Sequence, residues 1–482
     1  MGIAVLLSAC GTRAGQKPDR DVRNANEMRT RYSAEMINAR MTAWHNKDAE
    51  VGFPNANSTN GITDPAAEAT WDYVPGVVAK GILDVWEYYQ DSAWADAWYE
   101  GLSNWGLRQQ ATDRGGILDD LNCTKVFLGL YNGAKPGGRF ENAEKAAYFM
   151  EQLRRGARGL EDHKNRYTIA SGSAEGGWMH KATEDASKSY YGQMWCDGAY
   201  MGPALLAQLL AAGACEGTNL GWNDVYDQFE VSWPYLWDEE KQLPYHVIFT
   251  DVHLNNNARA LYEAGHLYPC AYDSTIYHSE EYWGRAAGWY MLALVDVLEA
   301  YLENLKAHGE WLEGDPLPSA QHFDELRSML TQLADGLVAR QDKKTGCWYQ
   351  LLAYGSEKCA TQGVDDIGSA KYTNVDEGGT QCNYLESSAS CLITAALLKG
   401  SRLGLIDHAE AGKKGYEGIV RTFITPSLHI TGSCQSAGLS KDRNGSAAYY
   451  LIGKDVPIQD NTEGKVLGAF LMSAVEYERL AE

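Results

Sequence analysis

YWGRAAGWYMLALVDVLEAYLENL, residues 282–305, reads as one long helix. Its apolar residues recur at helical spacing, and nothing in it alternates as a strand does. Arg285 stands between Trp283 and Trp289 at its start, where glycine and alanine let a backbone or a ligand come close. Arginine between two tryptophans can be plain cation–π packing. It is also a good carboxylate site, because a rigid guanidinium offers two parallel N–H donors.

The same helical pattern returns on both sides of this stretch. It appears in residues 28–46, in YVPGVVAKGILDVWEYYQD (73–91), in DDLNCTKVFLGLYNG (119–133), in MWCDGAYMGPALLAQLLAAG (194–213) and in GKVLGAFLMSAVEYERLAE (464–482). In all there are about a dozen such segments, joined by loops rich in Gly, Asn and Asp. No convincing run of alternating strands interrupts them, and no Pro/Ser/Gly linker divides the chain. The pattern predicts an all-α fold, an (α/α)6 barrel of six helical hairpins, with residues 31–482 as a single domain. An open α-solenoid is the competitor, but no sequence repeats at a fixed period.

Composition narrows the partners. The net charge of −22 argues against nucleic acid and anionic membranes, which need clustered Lys and Arg. A small anionic substrate stays open, because one or two local cations can hold a carboxylate. Aromatics are weighted to 15 Trp and 29 Tyr against 9 Phe. That bias suits sugars, which pair apolar faces with polar rims, and it equally suits a large core. The ten Cys form no C-x-x-C pair and no zinc-type cluster, so most read as small buried hydrophobes.

The opening MGIAVLLSACG, residues 1–11, ends its apolar run in Leu7-Ser8-Ala9-Cys10. It resembles the lipobox of bacterial lipoproteins, in which Cys10 becomes the lipidated N-terminus. No Lys or Arg precedes the apolar run, and the run is shorter than an ordinary signal core. Residues 11–30 are polar and read as a tether, so residues 1–30 form a signal-and-tether segment. The expectation is a periplasmic or outer-membrane-anchored lipoprotein of a bacterium.

Several segments hold residues suited to chemistry. LDDLN, residues 118–122, sets Asp119 and Asp120 where a helix begins, and carboxylates there can simply satisfy free N–H groups. GGWMHKA, residues 176–182, puts Trp178, His180 and Lys181 in a loop that enters an apolar segment. QMWCDGAYMGP, residues 193–203, places Asp197 in apolar company, as a helix cap or as an acid. YLESSASCL, residues 384–392, offers Glu386 as a cap. No nucleophile elbow, phosphate loop, dinucleotide fingerprint or H-E-x-x-H is present, and nothing calls for a metal or an organic cofactor.

Taken in order, LDDLN, GGWMHK, QMWCDGAYM, YWGRAAGW, YLESSAS and the tail RNGSAAYY…DNTEGKVLGAFLMSAVE resemble glycoside hydrolase family 105. These are unsaturated rhamnogalacturonyl hydrolases, relatives of the family 88 unsaturated glucuronyl hydrolases. The resemblance runs from about Trp71 to the C-terminus and implies an (α/α)6 barrel. It implies a substrate, an oligosaccharide ending in a C4=C5 unsaturated uronate left by a lyase. It implies hydration of the double bond rather than direct displacement. The proton donor matches Asp197, and a second acid matches Asp119, with Asp120 the alternative. Substrate contacts match Tyr73, Trp178, His180, Lys181, Trp283, Arg285 and Trp289. Trp283 and Trp289 would stack on the sugar, and Arg285 or Lys181 would hold its carboxylate. One departure is Cys270 in HLYPCAYDST, residues 266–275, where the resemblance calls for His; the alternatives are that His266 or His278 replaces it or that the subsite differs. Two other readings stand beside this one: another sugar enzyme on the same barrel, an ordinary glycosidase or an epimerase, or a non-catalytic carbohydrate-binding lipoprotein.

Overall fold

The computed structural model describes residues 71–482 except 72, 90–92, 171, 182, 184, 189, 310, 312–317, 365–372, 426–428, 461 and 481–482. The lipobox-like segment with Cys10, the tether 11–30 and the helical pattern at 28–46 lie outside the described residues. In chain order the helices are α1 Tyr73–Tyr88, α2 Ala93–Gly106, α3 Leu118–Asn122, α4 Val126–Ala134, α5 Ala143–Arg166, α6 Gly198–Met201, α7 Pro203–Ala211 and α8 Trp222–Leu236. There follow α9 Asn256–Glu263, α10 Gly284–His308, α11 Ala320–Ala339, α12 Ser387–Arg402, α13 Ala409–Phe423, α14 Ala447–Ile452 and α15 Gly464–Arg479. A 3₁₀ turn, Cys123–Lys125, joins α3 to α4.

An inner ring closes on itself. α1 packs against the α3–α4 segment, which meets α6–α7; then come α10, α12 and α15, and α15 returns to α1. Helices α2, α5, α8, α11 and α13 lie outside, each against the inner segment that precedes it. Among the described residues six inner segments alternate with five outer helices, the arrangement of the (α/α)6 barrel that the helical pattern predicts.

Local chemistry explains the ring. Helix α10 is buried on every side from Gly284 to Leu298, as an innermost helix must be, and it stops at Gly309, whose φ of 80° is the left-handed cap. At the crossing of α1 and α15, a Cβ on Gly81 would lie 2.9 Å from the Gly468 carbonyl oxygen, and one on Gly468 only 2.5 Å from that of Val77. Two backbones meet there, and no larger residue fits.

The two ends of the ring differ. Toward the C-terminal ends of the inner helices, buried and partly buried ion pairs fill the interior. Lys399 Nζ lies 2.6 Å from both Asp296 and Glu299, and Arg402 lies 2.7 Å from Glu476. The N-terminal ends open toward the long loops.

Those loops build a small sheet that the sequence reading does not anticipate. Strands β1 Gln193–Trp195, β2 Val247–Phe249, β3 Leu267–Pro269 and β4 Tyr277–Ser279 pair antiparallel in the order β1–β2–β4–β3. At three residues each, they are too short to display a period in the sequence. One of three short strand pairs among the described residues carries a disulfide, Cys359–Cys382. The seven free cysteines among the described residues are all buried, as expected for small hydrophobes.

Candidate active site

The residues singled out in the sequence gather at the N-terminal ends of the inner helices. Tyr73 opens α1, Asp119 lies in the first turn of α3, and Asp197 precedes α6. Trp283 and Arg285 begin α10, while Glu386 and Glu463 cap α12 and α15. Helix N-termini carry partial positive charge and free N–H groups.

Backbone hydrogen bonds fix the segments side by side. Leu118 N donates to His180 O at 3.0 Å, His180 N to Gln193 O at 2.9 Å, and Cys196 N to His246 O at 2.9 Å. Strand β1 pairs with β2 through Trp195 and Val247. A lateral row of backbone thus presents Asp119, His180, Asp197 and His246 together.

Two carboxylate–imidazole pairs result, with one indole between them. His180 Nε2 lies 3.1 Å from Asp119 Oδ1, and His246 Nε2 lies 3.2 Å from Asp197 Oδ2. Trp195 stacks on His180 at 5.0 Å and 15°, and meets His246 edge-on at 5.1 Å and 76°. Its indole N–H is fixed by Gln193 Oε1 at 2.9 Å. His246 is set from behind by the Tyr450 hydroxyl, 2.6 Å from Nδ1, and by the Trp283 ring at 4.8 Å.

The two acids are in different situations. Asp197 occupies the cap position of α6, yet its side chain makes no capping hydrogen bond. A capping role therefore does not account for it. Burial pushes the Asp119 carboxyl up, but the His180 and Lys181 charges outweigh burial and hold it below the usual carboxylate range. Its neighbour Asp120 is pushed up, by burial first and then by the Asp119 charge. Only Asp119 of that pair meets an imidazole. Tyr73 completes the group: burial, then the Asp119, Glu463 and Asp197 carboxylates, raise its hydroxyl well above the tyrosine range, against the opposing charge of Arg285.

Several sequence expectations change. Arg285 is 2% exposed and committed to the protein. Its Nε donates to Ser388 Oγ at 2.7 Å, its Nη1 to the Gln435 carbonyl at 3.3 Å and its Nη2 to the Cys434 carbonyl, with Glu386 Oε1 3.7 Å away. It holds the floor of the site rather than presenting a free guanidinium. Glu386 caps α12 through the Ala389 N–H at 2.6 Å, and it accepts from Cys434 N at 2.8 Å. Trp289 packs against Tyr200 at 4.5 Å in the interior and is not placed to stack on a ligand, while buried Trp178 backs α7 at Gly202 and lines a small cavity with Leu118, Met194 and Trp195. Trp283, its N–H on Gln350 at 3.0 Å, braces His246 instead. Lys181 keeps its Nζ over the Tyr190 ring at 4.2 Å, and its charge acts on both Asp119 and Asp120.

None of Cys270, His266 and His278 pairs with Asp197. Cys270 is buried, with its thiol toward the Tyr235 carbonyl. His266 pairs with Glu280 and Asn444, and His278 stacks on Tyr245 at 3.6 Å. His246 is the imidazole beside Asp197. Its signal in the sequence is one histidine in PYHVIF, just before a buried triplet, where an unpartnered imidazole would be costly. Trp195 and Tyr450 are the other site residues that the sequence left among the core.

Comparison with known proteins bears on the family and the fold. The profile of Glycosyl Hydrolase Family 88 matches residues 47–375 and 368–481. A 24.9 kDa protein of the picA locus of Rhizobium radiobacter is 28% identical over 242 residues, covering 45% of this chain and 85% of that protein. A family 105 glycoside hydrolase of C. acetobutylicum is similar in structure, with a TM-score of 0.57 at 25% identity, covering 85% of this chain and 94% of its own. The unsaturated glucuronyl hydrolase of Bacillus sp. GL1, responsible for degradation of glycosaminoglycan, has a TM-score of 0.51 at 14% identity, covering 93% and 95%.

Proposed function

The chain belongs to glycosyl hydrolase family 88, and on that premise we propose that it removes the unsaturated uronic acid from the non-reducing end of lyase-produced oligosaccharides. The observation that carries the assignment of roles is the contrast between the acids. His180 and Lys181 draw the Asp119 carboxyl below its usual range against burial, which favours its charged form. Asp197, uncapped and facing His246, is the remaining acid of the two pairs.

The chemistry follows from the substrate. An enol ether is electron-rich at C4, so Asp197 gives its proton to that carbon. Water adds its oxygen at C5 and returns a proton to the Asp197 carboxylate. The hemiketal then opens, releasing the shortened saccharide and a keto acid. Because bond making is at C4 and C5, the carboxylate spacings that set stereochemistry in ordinary glycosidases do not apply. Lys181 is the cation suited to the uronate carboxylate, in place of the enclosed Arg285.

The finer preference is for rhamnogalacturonan-derived substrates. It is supported by the greater identity to the family 105 structure, 25% against 14% for the glucuronyl hydrolase. Export is supported by the lipobox-like Leu7–Cys10 and by the Cys359–Cys382 disulfide, since disulfides persist in oxidising compartments. A lipid anchor at Cys10 is part of the same proposal.

A spectrophotometric panel of lyase products tests the function. The wild-type protein should abolish the ultraviolet absorbance of an unsaturated disaccharide, and Asp197→Asn should lose about 10²–10⁴ in rate. Failure on every unsaturated galacturonyl and glucuronyl oligosaccharide would sink the assignment. Turnover of a saturated glycoside with no loss of a double bond would favour the ordinary glycosidase.

A further inference from the structure

The helix that follows Asp197 is only four residues long, Gly198–Met201, and it breaks at Gly202 before Pro203 starts α7. Gly202, at φ −105° and ψ −80°, leaves the helical backbone, so the ladder does not run on across the break. The carbonyls of Tyr200 and Met201 therefore need donors from outside. Both come from the segment that carries Asp119. Asn122 Nδ2 lies 2.9 Å from the Tyr200 carbonyl and 3.4 Å from that of Met201, while Lys125 Nζ lies 2.7 Å from the Tyr200 carbonyl. Lys125 Nζ also sits 3.3 Å from the centroid of the Tyr200 ring.

Both side chains are buried, at 2% and 4% exposure, so neither meets substrate. The same short turn holds Asp197 at its other end, because the N–H groups of Tyr200 and Met201 donate to the Asp197 carbonyl at 3.1 and 3.4 Å. One rigid turn thus has Asp197 at its start and the side chains of Asp119's own segment at its finish. We propose that Asn122 and Lys125 are positioning residues that set Asp197 against Asp119 for the reaction, by tying the turn of one acid to the helix of the other. The inference rests on the function proposed above.

Burying an amine is costly, and burial drives the Lys125 ammonium well below the usual lysine range, with Lys80 and Lys399 adding to it and Asp296 opposing. A merely structural lysine would be replaced by methionine with no penalty to catalysis. A positioning lysine would not, since a misplacement of about 1 Å can cost 10²-fold in rate.

The test is steady-state kinetics of full-length Lys125→Met on an unsaturated disaccharide, with the melting temperature measured alongside. The expected result is a kcat lowered about 10- to 100-fold, a KM within about twofold of wild type and a melting temperature unchanged or higher. Asn122→Ser should show the same split, and it carries the test should Lys125→Met fail to fold. An active wild type with undiminished kcat in the variants overturns the positioning role alone. So does a loss of kcat that only follows a loss of folded protein. A wild type inactive on every unsaturated oligosaccharide overturns the proposed function, and this inference with it.

Discussion

His246 Nε2 lies 3.2 Å from Asp197 Oδ2, while its Nδ1 lies 2.6 Å from the Tyr450 hydroxyl. One imidazole thus joins the proposed acid to a phenol carried by α14. Tyr450 is itself held, since its carbonyl accepts from Gln350 Nε2 at 3.3 Å and Gln350 Oε1 accepts from Trp283. His246→Ala should lower kcat about 10²-fold, and Tyr450→Phe about tenfold, on an unsaturated disaccharide. Full activity in Tyr450→Phe would remove the phenol from the chain of contacts.

The second pair predicts a pH effect. His180 and Lys181 keep the Asp119 carboxyl below its ordinary value against burial. A depressed carboxyl stabilises the fold above its unfolded pKa, and that contribution fades as pH falls through the folded value. In His180→Ala the burial effect should prevail and the Asp119 pKa should rise. The acidic limb of kcat/KM against pH should move upward in that variant, and an unmoved limb would show that His180 does not govern Asp119.

Arg285 and Glu386 give a stability prediction. Removing one partner of a buried ion pair costs about 3–5 kcal/mol, because the other charge stays buried without it. Arg285→Met should therefore lower the melting temperature strongly. A variant that melts like wild type but has a much higher KM would show instead that the guanidinium holds substrate.

Glu281 gives the opposite pH sign. Burial, and then the Glu280 charge, raise its pKa to about 7, against Lys358 and the Tyr354 hydroxyl. The native state then holds a proton that the unfolded chain releases near its ordinary value. The stability associated with this group is complete below the unfolded value and is lost as pH rises through about 7. Glu281→Gln should thus be more stable than wild type at pH ~8, by between about 1 and 3 kcal/mol, with the difference fading toward pH ~5. Equal thermal stability at the higher pH would contradict the raised value.

The sequence by itself determined the helical ring, because helix is a local property. Segments such as 282–305 show their period within a few turns, and their regular recurrence leaves few ways to bury them. The ordered segments around Asp119, His180 and Asp197 were likewise legible, each being contiguous. Tertiary structure alone decided which of these side chains meet. His246 reaches Asp197 through the pairing of two three-residue strands, too short to be seen as strands in the sequence. Arg285 packs on the Trp283 ring at 5.1 Å, one of the two readings its neighbours allow, but the carbonyls that enclose it come from residues 434 and 435, far along the chain. Trp289 looked like a sugar platform, yet as an inner helix α10 turns it toward Tyr200 and the core. Local periodicity sets where helices form; the partners of a buried polar group are set by long-range packing, which no contiguous stretch records.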